Sequence, residues 1–370
     1  MNYVTLVMAI FAVLGALDRI LGNRFGLGKE FERGLTMFGT LALSMIGMIV
    51  IAPVLADLLH PALTAMAKVL PIDPSIVPAS LFAIDMGGAP LSSELAGDAE
   101  VGAFNGLVVA SMMGCTVSFT VPFALGAVKK EQHRALLVGM LCGIVTIPVG
   151  CLVAGLFTKL SWIPLLLNLC PLVLFSLLIA VGLWKAPNAC VKIFSVVGVG
   201  IKILITAGLA VGLFQFLTGI EVLPGSEGFG SAAMVVVNAT AVLTGAFPLI
   251  KVLSFLLKKP LGALGRKIGV NDTSMMGFLS SLAASMTTFD SMEQMDKKGA
   301  VLNSAFAVSA AFAFTDHLAY TLAWRADYLP IVIAGKLIAG VLAVLVACVV
   351  YRRLYGYGLE EQNNIREKNK

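Results

Sequence analysis

Long apolar runs recur along this chain from residue 3 to residue 351, and they restrict it more than any other feature. About 20 apolar residues in a helix cross the hydrocarbon core of a bilayer. Inside lipid every backbone N–H and C=O must be paired within the element, which leaves helices or closed barrels, and runs of this length read as helices. With 58% hydrophobic and 13% charged residues and a mean hydropathy of +0.94, the chain has no polar coat and no gap that would hold a soluble domain. It is predicted to be an all-α polytopic membrane protein. Spans are expected near 3–22, 34–58, 100–128, 135–158, 163–185, 192–218, 232–257, 299–324 and 329–351, nine in all. Residues 3–22 lack a basic leading region and a small-residue cleavage site, so they read as a retained span rather than a signal peptide.

Two further stretches, about 75–98 and 272–296, are apolar only in part and rich in Ser, Thr, Gly, Asp and Glu. The first contains Asp85-Met86-Gly87-Gly88-Ala89-Pro90, a composition that no lipid-facing helix would hold. Gly and Pro break the helical ladder, and unpaired backbone at membrane depth survives only when packed in protein or lining a cavity. Both stretches are therefore predicted to be re-entrant hairpins.

Charge placement supports that choice. If neither hairpin crosses, Arg24, Arg33, Lys130, Arg134, Lys185, Lys192, Lys258, Lys267, Lys298 and Arg352 all fall on one side. Lys68, Lys159 and Arg325 remain on the other, beside Glu221 and Glu227. By the positive-inside rule the basic side is cytoplasmic, which puts the N-terminus outside and the charged tail at 355–370 inside. The net charge of +5 is thus a topology signal, and no nucleic-acid partner is expected.

The chain also matches itself. Pro61 and Pro260, Asp73 and Asp272, Ser75 and Ser274, and Glu94 and Glu293 are each 199 residues apart. Asn105 and Asn303, and Ser111 and Ser309, are 198 apart. A run of matches at nearly constant offset predicts two repeats: 1–160 with the hairpin near 75–98, and 191–354 with the hairpin near 272–296, joined by a linker helix at 161–190. An odd number of crossings between equivalent points inverts them, as in secondary transporters whose site lies where broken segments meet near the midplane.

An ionisable group at membrane depth is a functional-site candidate, which singles out Asp85. Asn105, Ser111, Asn303 and Ser309 lie on polar stripes within otherwise apolar spans, and such stripes usually face the bundle interior. The plain alternative for each is an interhelical hydrogen bond. Asp316-His317 would suit proton or cation coupling, or else forms a solvated cluster near Trp324 and Arg325. Asp18, Lys202 and Lys251 sit close enough to span ends to snorkel; Lys336 fits that account least. The six cysteines show no CxxC pair or zinc spacing and read as buried thiols. No HExxH, GxSxG or phosphate-binding loop is present, so neither enzyme activity nor a metal or cofactor is expected.

Several segments taken in order resemble the ethanolamine-utilisation transporter family. They include Asp18-Arg19-Ile20-Leu21, Ala52-Pro53-Val54-Leu55-Ala56, Asp85-Met86-Gly87-Gly88, Glu94-Leu95-Ala96-Gly97, Ser111-Met112-Met113-Gly114 and Gly143-Ile144-Val145-Thr146-Ile147-Pro148. Gln294-Met295-Asp296, Ala305 to Phe312 and Asp316-His317-Leu318 continue the series. The resemblance implies an ethanolamine permease of the bacterial inner membrane. A small cation with a hydroxyl group asks for a carboxylate, polar partners and an aromatic face. Asp85 would meet the ammonium, Asn105, Asn303, Ser111 and Ser309 the remainder, and Phe82, Phe104 or Phe289 would supply a ring. Fold analogy suggests a homo-oligomer in the lipid bilayer. Carriers of another small amine or a nucleoside-like solute, and the membrane subunit of an ion-pumping decarboxylase, are the alternatives.

Overall fold

A computed structural model describes residues 3–69 and 72–368, which include no strand. Among these residues eight helices are long and apolar enough to cross a membrane: Tyr3–Ile20, Leu27–Leu63, Ala99–Ala127, Lys130–Gly155, Trp162–Lys185, Pro187–Thr218, Phe229–Ile268 and Asp316–Leu354. Eight of the nine predicted spans have a counterpart here. The last two residues of the predicted tail lie outside the described residues.

The exception is 299–324, which is not one helix. Helix Lys297–Ala310 stops, residues 311–315 unwind, and a second helix runs Asp316–Arg325. Phe312 sits at a φ of +60°, a region that a residue with a Cβ enters only when its surroundings enforce it. The enforcing contacts are backbone bonds. Phe312 N–H donates to the Ser281 carbonyl and Phe314 N–H to the Leu282 carbonyl, both at 3.0 Å. Pairing lost by the helix is regained from its neighbour, which no periodicity in the sequence announces.

Burial sorts the helices. Of the apolar window in Tyr3–Ile20, 17% is buried, against 83% in Ala99–Ala127. The first is a peripheral helix and the second the centre of the molecule. Beside that centre stands Lys297–Ala310, buried along its whole length from Gly299 onward. The central helix is π-helical over Phe104–Gly114 and Thr116–Thr120, and such wide turns inside α-helices occur frequently at functional sites. Close approach depends on glycine where helices cross. A Cβ on Gly47 would lie 1.8 Å from the Ile205 carbonyl oxygen, the small-residue packing expected of membrane helices.

Asp18 has a local purpose that makes snorkelling unnecessary. Its carboxylate accepts from the backbone N–H of Phe25, Leu27 and Gly28 at 2.8–3.0 Å. It thus caps the helix that begins at Leu27, where free N–H groups and the helix dipole favour an anion.

Both polar stretches are broken helices. The first runs as helix Ile76–Leu81, an extended break at Phe82 and Ala83, a short 3-10 turn Ile84–Met86 and helix Gly88–Leu95. Gly87 links the last two at a φ of +119°, and a side chain there would also strike Met48. The second runs Asp272–Ala283, extends at Ala284 and continues as Ser285–Asp290. The two breaks meet, because Ala83 and Ala284 pack in one small buried cluster with Cys115, Ala311 and Phe312. Of the six free cysteines, Cys115, Cys142 and Cys151 are buried, whereas Cys170 is exposed, a departure from the expectation of buried thiols.

Candidate functional site

The first break is held from the central helix. Ser118 Oγ donates to the Gly114 carbonyl at 2.7 Å and accepts the Ala83 N–H at 3.1 Å. This fixes the backbone two residues before Asp85. On the other side, His317 N–H donates to the Phe312 carbonyl at 3.2 Å, so the unwound segment positions the start of helix Asp316–Arg325. Both constructions place a carboxylate where regular helix ends and the chain turns into the interior.

They face one cavity of about 230 Å³. Its wall includes Asp85, Asp316 and His317, with Thr40, Phe119 and Phe312. Asp85 and Asp316 are half-buried and open to this space. Phe119 meets Phe312 edge to face at 5.7 Å between ring centres, and Phe312 lies 5.4 Å from the His317 ring. His317 Nδ1 is buried without a hydrogen-bond partner. Two carboxylates beside aromatic faces suit a small organic cation through ion pairing and cation–π attraction. The unpartnered imidazole nitrogen remains available to a hydroxyl.

Three residues singled out from the sequence, Asp85, Asp316 and His317, therefore share a wall. The solvated-cluster alternative for Asp316-His317 does not hold, since Arg325 pairs instead with Glu100 and Asp327. The remaining candidates lie elsewhere. Asn105 donates to Ser75 Oγ at 2.8 Å and exchanges hydrogen bonds with Asn168. Asn303 donates to the Ser274 and Gly299 carbonyls at 2.8 and 2.9 Å. Each asparagine thus ties its helix to a serine near the start of a broken segment, while Asn303 Oδ1 is buried without a partner. Ser111 Oγ donates to the Val108 carbonyl, and Ser309 Oγ is buried without a partner. Phe82 forms part of the break without lining the cavity, and Phe289, also outside the lining, packs on Phe123, which stacks on Phe119 of the wall.

Sequence reasoning did not single out Thr40, Phe119 and Phe312, which line the cavity. Phe312 closes the Ala305 to Phe312 segment, but nothing in an apolar run of Ala and Phe marks an unwound turn.

Replacing Asn105 by Ala is expected to lower the apparent melting temperature in detergent. Asn168 and Ser75 would lose buried partners, at about 1–3 kcal/mol for each group left unpaired. An unchanged melting curve would remove this residue from the support of the first broken segment.

Outside the bundle, Lys129 is bound to Glu293 at 2.6 Å. That hydrogen bond holds the lysine above its ordinary pKa. Both side chains are exposed, so little stability is expected from the pair.

Compared with known proteins, residues 1–350 match the family model described as ethanolamine utilisation protein, EutH. A Listeria monocytogenes protein named "Probable ethanolamine permease EutH" is 43% identical, over 94% of this chain and 93% of its own. The Escherichia coli protein of the same name is 36% identical, over 92% and 93%. The Bacillus subtilis protein YxeR is 37% identical, over 93% of each chain. No solved structure matches.

Proposed function

Since the chain belongs to the EutH ethanolamine-utilisation family and is a multi-pass transporter of the bacterial inner membrane rather than an enzyme, we propose that the solute it carries is ethanolamine. One observation supports this reading above the others: Asp85 and Asp316, each set by an interruption in a helix, open on the same aromatic-walled cavity. In the proposed complex the ammonium sits between the carboxylates against Phe119 and Phe312. The hydroxyl reaches His317 Nδ1 or Thr40. Asn105 and Asn303 act at a distance by holding the broken segments.

The same proposal includes the architecture. Residues 1–160 and 191–354 form inverted repeats around the linker at 161–190, and each contributes a re-entrant hairpin whose break meets the other's. The paired roles of Asn105 with Ser75 and of Asn303 with Ser274 support this, at the offset found in the sequence. Helices Lys297–Ala310 and Asp316–Arg325 act as one broken crossing, which restores nine crossings and places the C-terminus in the cytoplasm.

Liposomes containing the purified protein are expected to accumulate labelled ethanolamine by counterflow. Unlabelled ethanolamine should compete well. Ethylene glycol, which lacks the charge, should not compete, and propylamine, which lacks the hydroxyl, should compete more weakly. Absence of uptake by folded protein, or equal competition by ethylene glycol, would overturn the assignment.

A further inference from the structure

Lys336 lies on the last long helix with 1% of its surface exposed, and none of the ion pairs among the described residues includes it. Its Nζ donates instead to the carbonyl of Ser111 at 2.7 Å, within the π-helical part of the central helix. A charge buried without a carboxylate is strongly unfavourable unless something nearby compensates it, and in a membrane interior such a group is a mark of function. Packing alone would be met by Leu or Met. The central helix that anchors Lys336 also supplies Cys115 and Phe119 to the cavity, and the lysine charge reaches both Cys115 and His317 on its wall.

The charges around that cavity nearly balance. When both are ionised, Asp85 and Asp316 contribute two negative charges to it. Arg33 is within range of Asp316 but is itself paired with Glu30 at 3.5 Å. Asp18 is buried too, but its oxygens are taken up by backbone N–H groups at the Leu27 corner. With His317 as the neutral imidazole, Lys336 is the one fully buried lysine or arginine among the described residues.

We propose that Lys336 is a fixed countercharge to the amine site: anchored on the Ser111 carbonyl, it offsets one cavity carboxylate, so that a single monovalent amine makes the buried core neutral. This rests on the assignment of Asp85 and Asp316 to the amine. Two consequences follow. No metal cation needs to accompany the solute, and a dication overcharges the site and is rejected. Lys336 is on this account a positioning and selectivity residue that acts through the field.

The test compares the wild type with Lys336→Met and with the double variant Lys336→Met/Asp316→Asn, by equilibrium binding of labelled ethanolamine, competition by putrescine, and uptake into liposomes. Removing the lysine should tighten ethanolamine binding about tenfold, as expected when a repelling unit charge acting through an effective dielectric of about 20 is removed. Turnover should fall at least tenfold, because the loaded core is no longer neutral, and putrescine should compete at least tenfold better. The double variant, whose core has the wild-type balance, should bind ethanolamine more weakly because Asp316 is also a contact, yet should restore the wild-type preference for ethanolamine over putrescine. A lysine needed only for packing would not tighten binding, would not admit putrescine, and would not be rescued by a second substitution; that pattern overturns the proposal. A wild-type protein that requires sodium for ethanolamine binding overturns it as well, and this measurement stands even if Lys336→Met fails to fold. If the wild type binds no ethanolamine, or Asp85→Asn binds it normally, the functional assignment fails first and the countercharge falls with it. If Asp85→Asn loses binding while Lys336→Met binds and selects as the wild type does, only the countercharge fails.

Discussion

Asp85→Asn is expected to abolish ethanolamine uptake while leaving the protein folded. The substitution keeps the shape of the side chain and removes its charge, so it tests the ion pair and little else. An ammonium about 4 Å from a carboxylate, at the effective dielectric of about 20 that describes many protein sites, gains about 4 kcal/mol. Losing most of that weakens binding by two to three orders of magnitude, at about 1.4 kcal/mol for each factor of ten. Asp85 also precedes Gly87, where the chain takes a turn only glycine accommodates readily, so the carboxylate is held by backbone and not by a hydrogen-bond network that the amide would disturb. Binding of labelled ethanolamine, read beside a size-exclusion profile, decides the matter. Undiminished uptake by the variant would remove Asp85 from the site.

The second large effect is expected at Gly114. A Cβ there would stand 1.9 Å from the Phe82 carbonyl oxygen and 2.6 Å from that of Ala79. These are backbone atoms that cannot swing aside as a flexible side chain would. Gly114→Ala must push the first broken segment away from the central helix, and with it the Ala83 to Ser118 hydrogen bond that sets Asp85. Overpacking commonly costs about 1–3 kcal/mol when side chains can adjust; a collision with backbone is expected to exceed that. Uptake should fall more than tenfold and the melting temperature with it. Gly126 lies on the same helix, and a Cβ added there would meet nothing within 4 Å. Gly126→Ala is therefore expected to leave uptake intact and to stabilise the helix slightly, since alanine is favoured over glycine there by up to about 1 kcal/mol. Equal behaviour of the two variants would mean that close approach at Gly114 is not what positions the site.

Legibility followed the range of the interactions. Span positions could be read from local composition, because each span satisfies its own backbone and needs only a length of apolar residues. Asp85 stood out for the same reason, as a carboxylate beside Gly87, Gly88 and Pro90 in apolar surroundings. Asn105 and Asn303 were correctly placed in the interior, but their polarity could not reveal whether they meet a solute or a neighbouring helix. Their partners Ser75, Asn168 and Ser274 are 29 to 63 residues away in the chain, and only folding brings them within reach. Span 299–324 reads as unbroken because Ala311 to Thr315 has no proline or glycine to interrupt it.

Helical membrane character and the two polar interruptions were thus legible in the amino-acid order alone, since each depends on residues close together, and the proposed repeat rests on a comparison along the chain. Tertiary structure decided that Phe312 unwinds, that Asp316 joins Asp85 at one cavity, and that Lys336 rests on the Ser111 carbonyl. Each of those outcomes depends on hydrogen bonds or charges supplied by distant segments, and no local pattern specifies which distant carbonyl an N–H or an ammonium will find.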